Sequence, residues 1–355
     1  MQSCFRENSS SFGCAADGSN LTNPVSKGTF LEYLNRIEGM TSLMKKILVC
    51  GLNPAWQKTL HFRSLVPGEV NRAYALEQTA SGKGINFSRA AKRWGKAETR
   101  LLQFAGGSTG KMLMDVLDHE GIIHITVNSS AVTRTCSTVI SETPPSVTEL
   151  IEPNEPVTFE TSRELYQTGL DALDEVDALA VCGTYPPGVT GHFYSGLIEK
   201  AVRNGKFVML DSFMNVEESL KHEISFMKVN QEEILKLTGQ RELRDAFRFC
   251  KKHFRLKMTA VTAGASCAFF FDGVNVWRLS VPKVSSVVNP IGAGDTCSAV
   301  TCSEILSGTA PLEAFQLGLC AASASCLTPS AAEYDVAAAR NFRVEILSPE
   351  LIETL

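Results

Sequence analysis

The strongest constraint in this chain is the regular exchange of short apolar runs with helix-period segments. Strand-like runs fall at 46–52, 98–104, 122–127, 177–182, 206–211, 226–230 and 258–262. Helical patterns lie between and after them, at 84–95, 109–120, 160–173, 191–203, 231–239, 241–252, 294–306 and 311–326. Strands separated by helices reach a parallel neighbour through crossovers rather than tight turns. The pattern therefore predicts an α/β fold with a mostly parallel sheet covered by helices on both faces. Two regions break the alternation. Residues 134–142 and 146–153 read as two strands around Pro144-Pro145, and 59–65 and 70–80 as extended segments around Pro67-Gly68. Both pairs are too polar for the main sheet and predict a small β lid, spanning about 57–80 and 132–153. Residues 267–281 read as a hairpin turning at Asp272-Gly273.

The chain has 355 residues, of which 44% are hydrophobic, enough for a sizeable core. Residues 1–43 stand apart. They are polar, rich in Ser and Asn, and without period over most of their length, which predicts a disordered extension. The run 29–40 could add a short helix. They lack the apolar core of a secretion signal, and their acidic residues do not suit a transit peptide. Met44 opens "MKKILVCGLNPA", which reads as the start of a single folded domain over 44–355. The net charge of -4 and the lack of a basic block argue against nucleic acid and a membrane surface. No apolar run reaches transmembrane length. The 11 cysteines form no CxxC pair, and several sit in apolar strings, as reduced thiols of a cytoplasmic protein do. The 6 histidines are dispersed, without metal-ligand spacing.

Three stretches can carry chemistry. In "NPIGAGDTCSAV", 289–300, glycines allow a tight turn, and amides at a helix start make an anion hole. Asp295 beside that hole could take a proton from a hydroxyl while the hole holds phosphoryl charge, although a plain N-cap would also explain it. In "ASGKGINFSRAA", 80–91, Lys83, Asn86 and the backbone amides could hold sugar hydroxyls, or the glycines could simply form a turn. In "KVNQEE", 228–233, Asn230 and Glu233 have the spacing of a capping box, and also of a pair that orients water around Mg²⁺. Two strings only look functional. "AGGSTGKM", 105–112, has Ala105 and Met112 where a phosphate loop needs Gly and Ser or Thr. "GAGDTC" has Cys297 in place of the last glycine of a dinucleotide fingerprint.

The order of five strings is more specific than any one. "GLNPA" at 51–55, "SGKGIN" at 81–86, "GTYPPGV" at 183–189, "KVNQEE" and "NPIGAGD" together resemble the phosphofructokinase B family of carbohydrate kinases, over residues 44–345. "LNPA", "PGEVNRA" and "GKGIN" are most similar to its 1-phosphofructokinase and tagatose-6-phosphate kinase branch. The resemblance implies a ribokinase-like three-layer α/β/α fold, ATP and Mg²⁺ as cofactors, and a small sugar phosphate as acceptor. It implies Asp295 as base and the Gly292, Ala293 and Gly294 amides as the anion hole. Lys228, Asn230, Thr262, Ala263 and Gly264 would serve the nucleotide, and Glu233 would hold Mg²⁺ through water. Asn53, Gln57, Gly82, Lys83, Gly84 and Asn86 would contact the sugar, with Arg134 on its phosphate. Relatives of this kind pair through the lid, so a homodimer is also implied.

The acceptor side departs from that pattern. Gln57 stands where the branch has Asp, and Arg134-Thr135-Cys136-Ser137-Thr138 lacks the branch's Lys. An amide still binds a hydroxyl, but one positive charge for a phosphate is gone. The sequence therefore leaves three readings: a sugar-phosphate kinase, a kinase of an unphosphorylated sugar or nucleoside, and a non-catalytic sugar-binding regulator.

Overall fold

The computed structural model describes residues 44–345 and 347–355. The expectations for 1–43, a disordered extension with a short helix, lie outside the described residues. From Met44 onward the chain forms one compact unit.

Strand β1 (Lys45–Cys50) shows how the core is built. Ile47 and Val49 enter one hydrophobic cluster while Leu48 and Cys50 enter another, because successive side chains of a strand point to opposite faces. A strand buried on both faces must be apolar throughout, as its inner four residues are. β1 lies between β4 (Ala97–Ala105) and β8 (Ala178–Cys182), parallel to both. β5 (His124–Asn128) extends one side, and β9 (Phe207–Asp211), β10 (Phe226–Asn230) and β11 (Thr259–Ala263) extend the other, all parallel. β12 (Cys267–Phe271), β13 (Asn275–Ser280) and β14 (Glu350–Thr354) continue it antiparallel. The result is one ten-stranded sheet.

The second sheet is the lid expected between the alternating units. It has four strands in the order β3 (Ala75–Ser81), β2 (Ala55–Phe62), β6 (Thr135–Glu142), β7 (Pro145–Ile151). β2 starts four residues before the extended run at 59–65, because its first residues pair with the end of β3. β3 is shorter than 70–80, since its pairing with β2 ends at Ala75.

Helices α1 (Lys83–Trp94), α2 (Gly107–Glu120), α3 (Phe159–Ala172), α4 (Gly191–Arg203), α5 (Gln231–Thr238) and α6 (Leu243–His253) follow the expected alternation. α7 (Ala293–Leu306) is buried at every residue from Asp295 to Glu304. It packs against α8 (Pro311–Ser325) and α1, so it has no polar face to give it an amphipathic pattern. Beyond the predicted helix at 311–326 the chain adds α9 (Val336–Glu345), packed on α8, and β14. Both are short and largely solvent-facing, so neither carries the apolar period that marks a core element.

Candidate active site

The C-terminal ends of the parallel strands meet on one side of the sheet, where open α/β folds place their ligands. Asn53 follows β1, Thr184 follows β8, Asp211 ends β9, Asn230 ends β10 and Thr262 lies near the end of β11. Two cavities open there. A polar one of about 410 Å³ is lined by Asn53, Gln57, Gly82, Lys83, Gly84, Asn86, Arg134, Glu233, Gly292 and Asp295. A larger, mostly apolar one of about 890 Å³ is lined by Lys228, Asn230, Thr262, Ala263, Gly264, Ala293 and Gly294. These two sets are the residues singled out in the sequence, sorted by tertiary structure. Both volumes suit small-molecule sites, which run from about 300 to 1,000 Å³.

The turn 290–294 is the wall between them, and Pro290 lines both sides. Gly292 caps α7 with φ 79°, a left-handed conformation that a side chain would strain. A Cβ at Gly292 would also lie 2.9 Å from the backbone nitrogen of Ala332. Asp295 is the third residue of α7, not its cap. The Ala293 amide donates to the Pro290 carbonyl at 3.3 Å and holds the turn from within. Above Gly294 stands the Lys228 ammonium, only 2.8 Å from where a Cβ would be. An alanine there would displace the cation that faces the helix N-terminus.

The electrostatic centre is a residue that the sequence reading passed over, Asp211. Its Oδ1 accepts from Lys83 Nζ at 2.7 Å, and its Oδ2 accepts from Ser298 Oγ at 2.5 Å and lies 3.8 Å from Lys228 Nζ. Burial alone would raise its pKa, but Lys228 and Lys83 outweigh that and hold it below the usual carboxylate value. Asp295 has the opposite fate. Burial and the facing Asp211 charge push it up to about 6, against the pull of Lys83, Asn86 and Lys228. Two carboxylates in one site are thus driven apart, one kept ionised and one poised near neutrality. The available signal for Asp211 was a lone charge ending the apolar run "FVML" at a strand's C-terminal end.

Lys83 lines the polar cavity with its ammonium bonded to Asp211 Oδ1. Burial would lower its pKa, but Asp211, Asp295 and Glu233 together hold the ammonium well above its ordinary value. Asn230 and Glu233 form the reciprocal capping box of α5: Glu233 N donates to Asn230 Oδ1, and Asn230 N donates to Glu233 Oε2, each at 2.8 Å. This leaves Glu233 Oε1, 3.7 Å from Lys83 Nζ, directed at the polar cavity. Among the described residues no three His, Cys, Asp or Glu cluster as metal ligands.

The far wall of the polar cavity comes from the residues after β1 and from the lid. Asn53 Nδ2 donates to Thr184 Oγ1 at 3.1 Å. Gln57 Nε2 donates to Thr138 Oγ1 at 2.9 Å and to the Lys58 carbonyl at 3.2 Å. Arg134 lines the cavity, and its Nε is buried without a hydrogen-bond partner in the protein. Glu149, which pairs across the lid with Thr138, lines the same cavity and was not anticipated. Nor was the apolar wall of the second cavity, which includes Val281, Val284, Val287 and Leu319. The decoy string at 105–112 lies elsewhere: Gly106 caps α2 and its amide donates to Thr133 Oγ1. Cys50, Cys136, Cys182, Cys250, Cys267, Cys297, Cys302 and Cys326 are free thiols. Among the described residues no helix is long and apolar enough to cross a membrane.

Comparison with known proteins agrees with this layout. Residues 44–337 match the pfkB family carbohydrate kinase description. A possible 1-phosphofructokinase from Thermotoga maritima superposes with a TM-score of 0.78 at 20% identity, covering 87% of this chain and 100% of its own. Escherichia coli phosphofructokinase-2, in complex with fructose-6-phosphate, gives 0.75 at 23% identity, with 85% and 99% covered. Arabidopsis thaliana ribokinase, complexed with ribose and ATP, gives 0.69 at 18%, with 84% and 99% covered. Likeness at these identities establishes the fold.

Proposed function

The chain belongs to the pfkB family of carbohydrate kinases, and on that premise we propose that it uses ATP and Mg²⁺ to phosphorylate a hydroxyl of a small sugar phosphate. Fructose 1-phosphate and tagatose 6-phosphate are the leading acceptors. The observation that carries the reading is the position of Asp295: it lines the polar cavity, directly after the turn 290–294 that borders the apolar one, and its pKa is pushed up to about 6.

The polar cavity takes the acceptor and the apolar one the nucleotide, whose base suits the Val281–Val287 wall. Asp295 accepts the proton of the acceptor hydroxyl. The freed oxygen forms a bond to the terminal phosphorus of ATP as the bond to the departing ADP oxygen breaks. Lys228, the α7 N-terminus and the turn at 292–294 offset the charge that develops on the phosphoryl oxygens. Asp211 keeps Lys83 charged and holds both Lys83 and Lys228 in place. Mg²⁺ would neutralise phosphate charge. Glu233 Oε1 fits it as a water-bridged partner, because this ion keeps several waters and needs only one or two carboxylates. The unpaired Arg134 Nε supports a phosphate on the acceptor, since a buried guanidinium donor seeks an anionic partner.

Glu149 favours a second reading. A carboxylate on the same wall as Arg134 offsets its charge, and would suit an unphosphorylated sugar. A panel of fructose, fructose 1-phosphate, fructose 6-phosphate and tagatose 6-phosphate, read by ADP release, separates the two. Release only with unphosphorylated sugars overturns the sugar-phosphate assignment. We place pairing of two copies at the lid, where β7 is exposed at every residue and carries Val147, Leu150 and Ile151. Buried, protonated thiols such as Cys50 and Cys182 suit a cytoplasmic setting.

A further inference from the structure

Arg89 lies six residues beyond Lys83 on α1, and its side chain is 5% exposed. A buried guanidinium has five N–H donors to satisfy, and all five are used. Nε and Nη2 grip Glu120 Oε2 and Oε1, each at 3.0 Å. Nη2 also donates to the Ala80 carbonyl at 3.0 Å. Nη1 donates to the Ala331 carbonyl at 3.2 Å and to Asn86 Oδ1 at 3.4 Å. Of these contacts only the one to Asn86 reaches a residue lining the polar cavity, and together they join three parts of the site: the end of β3, helix α1, and the 331–332 loop against Gly292.

The bond to Asn86 is the informative one. Asn86 and Arg89 are three apart on one helix and so share a face. Asn86 Oδ1 accepts from Arg89 Nη1 and from Ser81 Oγ, both at 3.4 Å. That fixes which end of the amide faces each way, and it turns Nδ2 to Asp295 Oδ2 at 2.8 Å. The reversed amide would set two oxygens against each other at Asp295. We propose that Arg89 is a positioning residue that acts through Asn86: it sets the amide orientation that holds Asp295 as an ionised, correctly aimed base. This rests on the reading of Asp295 given above.

The groups facing Asp295 are Asp211 from β9, Lys83 and Asn86 from α1, Lys228 from β10 and the Cys182 thiol from β8. Arg89 alters none of these charges. Apart from its own charge, which Glu120 pairs, its removal acts on Asp295 through the donor from Asn86, which favours the charged carboxylate. A base works deprotonated, so weakening that donor moves the acid limb of the rate profile to higher pH.

The test is a double-mutant cycle on the full chain with Arg89→Met, Asn86→Ala and the pair, measuring kcat and KM for the best acceptor between pH 5 and 9. Arg89→Met is expected to lower kcat about tenfold or more, the scale of a misplaced catalytic group. It should move the acid limb up by about one pH unit, the scale of one hydrogen bond to a charge. In the Asn86→Ala background it should add little further loss and no further shift. Losses that multiply across the cycle, or an acid limb that stays in place, overturn the proposal. Arg89→Lys, which keeps a charge against Glu120 but has three donors instead of five, carries the same test if the Met variant does not fold. Asp295→Asn run in parallel keeps the two claims apart: full turnover in that variant removes Asp295 as the base, whatever the cycle shows.

Discussion

The transfer centre and the lid are built in opposite ways. Around Asp211 each charge has an answering charge or donor, and Asp211, Lys228, Ser298 and Asp295 are all buried. On the lid, β7 is exposed throughout, Glu149 stands open to solvent, and Arg134 Nε has no protein partner. Charges in a water-poor site are costly to rearrange, so the centre is held in one arrangement. An exposed charge such as Glu149 costs little to exchange. On the proposed function, the difference teaches that the transfer step would be over-determined by the fold, while choice of acceptor would rest on a few exchangeable side chains.

The largest expected effect breaks the centre at its base. Asp295→Asn should lower kcat by about 10²- to 10⁴-fold, the range for a lost general base, measured by ADP release. The same change should raise thermal stability at pH 7. A carboxyl whose folded pKa lies above its unfolded value near 4 destabilises the fold when ionised. That penalty grows as pH rises from about 4 to about 6 and is absent in the Asn variant. A calorimetric midpoint at pH 7 that is higher by a few degrees, with the gain gone at pH 4, is the expected result. A midpoint lower at pH 7 contradicts it.

Asp211→Asn comes next. It leaves two lysines without their buried counter-charge and should cost about 3 kcal/mol of stability in denaturant titrations. Loss of a neighbouring negative charge lowers the Asp295 pKa, so the remaining activity should persist to lower pH than in the unmodified chain. An acid limb that moves upward would show that Asp211 does not set the pKa of its neighbour.

The lid predictions are smaller and sharpen the contrast. Arg134→Gln should raise KM for a phosphorylated acceptor about tenfold, the worth of one charge-assisted hydrogen bond, and leave KM for an unphosphorylated sugar near its starting value. Equal rises for both acceptors would place Arg134 on the sugar rather than on a phosphate. Glu149→Gln should lower KM for phosphorylated acceptors only a few-fold, as an exposed charge does. If Glu149→Gln changed kcat as strongly as Asp295→Asn, the division between centre and lid would not hold.

The alternating pattern alone determined the parallel sheet, the two helical layers and the separate lid. That information is local: a strand buried on both faces must be apolar, and polar extended segments cannot enter it. The turn 292–294 and the capping pair Asn230 and Glu233 were legible for the same reason, since their chemistry acts over three or four residues. The site itself was legible only as a set of strings. Asp211 shows why. It is 128 residues from Lys83 and 87 from Ser298 along the chain, and nothing local distinguishes it from a polar strand end. Arg89 reads as one more cation on a helix until the carbonyl of Ala331, 242 residues away, is seen to accept its hydrogen bond. Which carboxylate stays charged, which approaches neutrality and which amide faces the base all depend on through-space distances between segments far apart in sequence. Only the folded chain brings those segments together, so local composition determined the architecture and tertiary contact decided the protonation and aim of the groups within it.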